Sequence, residues 1–141
     1  MFPSLLRKQL SEILAEGFVA RRSVHRNCIE MFPKRVWEEE MKEINRLNRY
    51  IQENDDFVRA LRAGHREIEM DSTGRTLIPK DLASFAGLKK DIVCATSIDR
   101  IELWDKQNYE DVIAEISAGI SALAEKVMGK LKKENEQESL S

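Results

Sequence analysis

Arg66 to Pro79 reads REIEMDSTGRTLIP, and this stretch decides the fold. Ile68 and Met70 alternate with Glu67, Glu69 and Asp71, which predicts a half-exposed strand. Asp71-Ser72-Thr73-Gly74 is turn chemistry. Gly74 offers positive φ, and the Asp71 carboxylate can accept bonds from backbone N–H groups across the turn. Arg75 to Ile78 returns as a second strand, and Pro79, which lacks an N–H, ends it. The whole is a hairpin that delivers the chain to a proline.

Downstream, Lys80 to Ala86 is predicted as a short helix stopped by Gly87, and Ile92–Ala95 and Arg100–Trp104 as two strands. Asp105 then caps a long helix carrying Tyr109, Val112, Ile113, Ile116, Ile120, Leu123 and Val127. The end, KLKKENEQESLS, has no apolar period and is expected to be a frayed or disordered tail. Upstream, Pro3 to Gly17 reads as a helix. Phe18–Arg22 and Cys28–Phe32 read as strands joined by the polar segment Ser23–Asn27. From Pro33 a helical period runs through Trp37, Met41, Ile44, Leu47 and Ile51. Asp55 is the expected N-cap of a second short helix, which ends at Gly64.

The two halves repeat. Ile29-Glu30-Met31-Phe32-Pro33 through Glu38 aligns without a gap on Ile101-Glu102-Leu103-Trp104-Asp105 through Glu110, at a constant offset of 72 positions. With small changes of register, Phe18-Val19 matches Ile92-Val93 and Phe2-Pro3 matches Ile78-Pro79. The chain is therefore a tandem of one unit. A whole hairpin precedes Pro79, whereas only Met1 and Phe2 precede Pro3. The repeat logic thus predicts a missing hairpin with a D-x-x-x-R motif ahead of Pro3, in a longer version of the protein. It also predicts a sheet edge with unmet backbone groups.

At 141 residues the chain is sized for one ordinary domain or two very small ones. Hydrophobic residues make up 42% and charged residues 34%, which excludes collagen-like and wholly disordered classes. No apolar run is long enough to span a membrane, and the N-terminus lacks the apolar block of a signal peptide. Two cysteines, Cys28 and Cys94, cannot build a disulfide framework, which points to a cytosolic chain with reduced thiols. The net charge of −2 means that a nucleic-acid role needs basic residues sorted onto one face.

The D-x-x-x-R of Asp71 to Arg75, followed by Leu77-Ile78-Pro79-Lys80-Asp81-Leu82, resembles the AbrB-type swapped-hairpin module. With the second copy and the IELWD segment, about residues 2–128 resemble the MraZ family of bacterial transcriptional regulators, associated with the division and cell-wall gene cluster. The resemblance implies an α+β fold in which two tandem AbrB-like half-units form one small pseudo-symmetric sheet domain with flanking helices. The first half-unit, with its long helix, spans 1–53, the second with the C-terminal helix spans 54–128, and 129–141 is a polar tail. It also implies ring-shaped homo-oligomers on repeated sites in double-stranded promoter DNA, hence a cytoplasmic, nucleoid-associated protein. The DNA-facing residues it implies are Arg75, within the loop set by Asp71 and Gly74, and the basic pair Arg7 and Lys8 after Pro3. The second copy has Ala83-Ser84 where that pair stands.

Each feature has a plainer reading beside the functional one. Arg75 either pairs with Asp71 to hold the hairpin or projects its planar fork to a guanine edge or phosphate. Arg21, Arg22, His25 and Arg26 form a solvated charge cluster or, as the lesser bet, contact phosphate. His25 and His65 have no ligand neighbours at zinc spacing, so no metal is expected. Cys28 and Cys94 at strand positions read as small apolar residues. Glu38-Glu39-Glu40 suits the first turns of a helix, and the stripes bearing Trp37 and Tyr109 read as core and interface. No catalytic, cofactor or small-molecule motif is present. The expected function is a DNA-binding repressor. The alternatives are an oligomeric interaction scaffold that has lost DNA binding, or an AbrB-type antitoxin.

Overall fold

A computed structural model of the protein describes residues 17–69 and 77–140, with side chains to Glu138. Its elements, in chain order, are strands β1 (Phe18–Arg22) and β2 (Ile29–Pro33), helices α1 (Lys34–Ile44) and α2 (Gln52–Arg62), and the short strand β3 (Arg66–Ile68). Helix α3 (Lys80–Ala86), strands β4 (Ile92–Thr96) and β5 (Ile101–Asp105), and helices α4 (Lys106–Ala118) and α5 (Ile120–Leu140) follow. The chain divides into a sheet unit through Lys106 and a helical unit from Gln107.

The sheet unit is an antiparallel five-stranded sheet in the order β3-β1-β2-β5-β4. Alternation along each strand sorts its side chains between two faces. Phe18, Ala20, Ile29, Met31, Ile101 and Leu103 turn to one face, where Leu82 and Ala86 of α3 cover them. Val19 and Phe32 turn to the other, under Trp37 and Met41 of α1 and Leu61 of α2. Phe18, Ile29, Met31, Phe32 and Leu82 are fully buried, each contributing roughly 1.5–3 kcal/mol relative to an exposed side chain.

The register carries the repeat into space. Ile29 faces Leu103, Glu30 faces Glu102 and Met31 faces Ile101. Moving each β2 residue 72 positions on, and each β5 residue 72 back, reproduces the same pairs. A pseudo-two-fold axis therefore passes between Glu30 and Glu102. The outer hairpins obey the same relation, with Phe18 opposite Pro33 and Ile92 opposite Asp105.

Several boundaries differ from the sequence reading. The helix expected to run from Pro33 through Ile51 stops at Ile44. Asn48 breaks it, because its side-chain oxygen accepts the Tyr50 N–H at 3.0 Å and its carbonyl accepts from the Asn54 amide at 3.2 Å. The second helix begins at Gln52 rather than after Asp55, whose carboxylate instead binds Arg49 and Arg59 at 2.7–2.8 Å. Those two guanidiniums, Arg59 first, hold the Asp55 carboxyl below its ordinary pKa. Leu77 and Ile78 are not in a strand, since Pro79 follows and nothing pairs with them among the described residues. Gly87 stops α3 as expected, in the left-handed conformation at φ 63°.

In the helical unit, the single helix expected after Asp105 is interrupted at Gly119, the weakest helix former in the stretch. The segment read as a frayed tail is helical through Leu140. Beyond Gly129 it contains neither Gly nor Pro and is rich in Lys, Glu, Gln and Leu, which lose little side-chain freedom in a helix. Among the described residues no helix is long and apolar enough to cross a membrane.

Candidate functional site

The residues singled out for DNA contact, Arg7, Lys8, Asp71, Gly74 and Arg75, lie outside the described residues, as does the helix expected from Pro3. The described chain fixes the elements on either side of residues 70–76. On one side, β3 pairs with β1, Ile68 opposite Phe18 and Arg66 opposite Ala20. On the other, Ile78 packs against the same core face and Pro79 opens α3. The two sides are tied together. Arg66 Nη2 donates to Asp81 Oδ2 at 3.2 Å, linking the start of β3 to the first turn of α3. Gly64 makes this junction possible. Its φ is +75°, and a Cβ there would lie 3.4 Å from Arg22 Nε and 3.7 Å from Asp81 Oδ2.

The basic run after β1 does not act as one patch. Arg21 is 3% exposed, which overturns its reading as part of a solvated cluster. Strand alternation turns it beneath α1, where Nη2 donates to Glu40 at 2.9 Å and Nε lies 3.8 Å from Glu30. Its guanidinium carbon sits 4.5 Å from the Phe32 ring centroid and 5.4 Å from that of Trp37. Nε and Nη1 have no hydrogen-bond acceptor among the described residues and are accommodated by those aromatic faces. Arg22 points the other way, over Phe85, and His25 and Arg26 are exposed in the β1–β2 loop. Glu40 is correspondingly a half-buried partner of Arg21, distinct from the exposed Glu38 and Glu39.

Sequence reasoning missed the charge cluster on the pseudo-two-fold axis. Arg100 donates to Glu30 at 2.7 Å and to Asp99 at 3.0 Å, and stacks over Phe32 at 4.7 Å. Asp99, and then Glu30, raise the Arg100 pKa, and Arg100 lowers that of Asp99. The repeat puts Cys28 at the position equivalent to Arg100. Cys28 is fully buried with its thiol 4.0 Å from Glu102, whose other oxygen accepts the Trp104 indole N–H at 3.2 Å. Burial, reinforced by Glu102 and Glu30, pushes the Cys28 thiol up to about 12. Burial also raises Cys94, and both cysteines are free. The available signal was the 72-residue offset, which already placed Glu30 on Glu102 and Cys28 on Arg100.

A cavity of about 510 Å³ opens beside this cluster, between the β1–β2 and β4–β5 loops and α2. Its charged lining is balanced, with Arg21, Arg26 and Arg100 against Glu30, Glu40 and Glu102. Among the described residues no group of His, Cys, Asp and Glu could hold a metal ion.

The tandem hairpins about a shared axis, with the D-x-x-x-R sequence ahead of a proline-initiated helix, define an AbrB-like α+β protein. Comparison with known proteins narrows the class. Residues 61–130 match the family described as "MraZ protein, putative antitoxin-like". The chain is 50% identical over 129 residues to "Transcriptional regulator MraZ" of Flavobacterium psychrophilum, covering 92% of this chain and 82% of the relative. The protein of that name from Christiangramia forsetii is 46% identical, covering 92% and 83%. That from Leuconostoc citreum is 31% identical, covering 89% and 84%. This chain belongs to the MraZ family, a family of transcriptional regulators and not of enzymes.

Proposed function

We propose that the chain is a sequence-specific DNA-binding repressor of the division and cell-wall gene cluster, cytoplasmic and nucleoid-associated, acting as a homo-oligomeric ring on repeated promoter sites. The observation that carries this reading is the Arg66–Asp81 tie. It braces both ends of the segment that holds Asp71, Gly74 and Arg75, as a loop presenting an arginine to a base edge requires. Arg7 and Lys8 supply phosphate contacts that set register. The half-units of residues 1–53 and 54–128 account for the self-consistent register across β2 and β5.

A single bidentate Arg–guanine contact discriminates by only about 1–3 kcal/mol. Several copies on one ring engage repeated half-sites together and multiply that contact through effective concentration. Support for assembly comes from the helical unit taken by itself. On α5, Ile120, Leu123, Val127 and Leu131 are each about half exposed and recur at three- or four-residue spacing, which makes one apolar stripe. Binding of the full chain to a labelled fragment of its own promoter, at two salt concentrations, tests the reading. A repressor ring binds with steep loss at the higher salt. Absence of binding at both concentrations favours the interaction scaffold.

A further inference from the structure

The cavity beside α1 and α2 lies on the pseudo-two-fold axis. Ser23 N–H bonds Cys28 at 3.0 Å and Ser97 N–H bonds Arg100 at 2.9 Å. Because Ile29 faces Leu103, Cys28 falls beside Trp104 and Arg100 beside Phe32. The β1–β2 and β4–β5 loops therefore stand at opposite ends of the central strand pair, about 13 Å apart along it. The 510 Å³ cavity reaches both loops and crosses Glu30 and Glu102 between them, a trench sized for one small molecule.

One wall of the trench is apolar: Ile44 of α1, Phe57 and Leu61 of α2, and Val24 of the first loop. Val24 and Phe57 are 52% and 43% exposed. The remaining lining balances three arginines against three glutamates, but its hydrogen bonding is not balanced. Every carboxylate already accepts: Glu30 from Arg100, Glu40 from Arg21 and Glu102 from Trp104. The donors are not all used. Arg21 is 3% exposed, and its Nε and Nη1 have no acceptor among the described residues. The Phe32 and Trp37 rings stabilise its charge but offer those N–H groups no oxygen. Arg26, exposed in the first loop, makes no ion pair among the described residues. The trench therefore combines an open apolar wall with a surplus of cationic donors.

We propose that this trench is a binding site for a small aromatic acid, a flat apolar body bearing one carboxylate or sulfonate group. The acid group sits at Arg26, whose planar guanidinium can offer it two parallel N–H bonds, above the donor-rich floor at Arg21. The aromatic body lies along Val24, Phe57, Ile44 and Leu61, and its far edge points towards the Ser97 hydroxyl. Glu30, Glu40 and Glu102 select against a second negative charge. Since the lining comes from both repeats, an occupant ties them together and stabilises the folded sheet unit.

The test titrates the full chain with anilinonaphthalene sulfonate, read by its fluorescence, and with phenylnaphthylamine, the same ring system without the acid group. One saturable sulfonate site per chain is expected. Arg26→Ala should weaken it about tenfold while binding the neutral probe as the wild type does. Phe57→Ser should weaken both probes. Arg46→Ala, which removes an exposed arginine outside the cavity, should change neither. Naphthoate should displace the sulfonate and raise the melting temperature of the wild type more than that of Arg26→Ala. Circular dichroism establishes that each variant is folded. Undiminished sulfonate binding in Arg26→Ala, or equal loss of both probes in it, overturns the inference. So does sulfonate binding that disappears in Leu123→Glu, which would place the probe on the stripe of α5.

Discussion

Glu30 and Glu102 occupy the same place in the two repeats and face each other directly across the β2–β5 ladder, on the pseudo-two-fold axis. Like charges directly opposed are unfavourable unless each is answered. The answers differ. Glu30 is neutralised by Arg100 at 2.7 Å and Arg21 at 3.8 Å, while Glu102 accepts the Trp104 N–H and faces the Cys28 thiol. The backbone keeps the symmetry that the side chains have lost.

That difference sets the first prediction. Glu30→Ala removes one carboxylate from each of two guanidiniums, leaving Arg21 to Glu40 and Arg100 to Asp99, and should cost about 1–3 kcal/mol in urea unfolding. Glu102→Gln keeps an acceptor for Trp104 while removing a like charge, and should change stability by less than about 1 kcal/mol. Equal losses at the two positions would contradict the assignment of the arginines to Glu30.

The repeat, strands β1, β2, β4 and β5, and α3 with its Gly87 stop were legible because alternation, proline and glycine act locally. The break at Asn48 was not. Leu47 and Ile51 continue the apolar period, and the bonds that stop the helix are made by one polar side chain and its carbonyl. Arg21 was misread because one more charge beside Arg22 looks solvated until strand alternation and α1 bury it. The end of the last helix was misread because the lack of an apolar period beyond Leu131 says how a segment packs, and its helix-forming composition says more about its backbone. The proposed DNA site was legible only through resemblance.

Gly64 should be less replaceable than Gly87, although both have positive φ. Gly64→Ala should cost about 1 kcal/mol or more from backbone strain and, in addition, disturb Arg22 and the Arg66–Asp81 tie. Nothing lies within 4 Å of a Cβ at Gly87, so Gly87→Ala carries the strain alone. Thermal unfolding of the two variants measures the difference.

The cysteines should titrate apart. With its folded pKa raised to about 12 from an ordinary value of 9.0, Cys28 favours the folded state below pH 9. That contribution should fade as pH rises from 9 towards 12. The stability difference between the wild type and Cys28→Ala should shrink across the same window. In the native protein at pH 8, Cys94 should react with a thiol reagent well before Cys28. Faster modification of Cys28 would contradict its burial.

Leu123→Glu places a charge within the exposed stripe of α5 and should reduce the assembled mass seen by light scattering while leaving helix content nearly unchanged. An unaltered mass would remove the stripe from assembly.

The most direct test of the DNA-binding account is fluorescence anisotropy of Arg75→Ala on the chain's own promoter fragment and on a scrambled fragment of equal length. Loss of about 1–3 kcal/mol per engaged contact on the promoter, little change on the scrambled fragment and an unchanged melting temperature are predicted. Undiminished promoter affinity in this variant would contradict it.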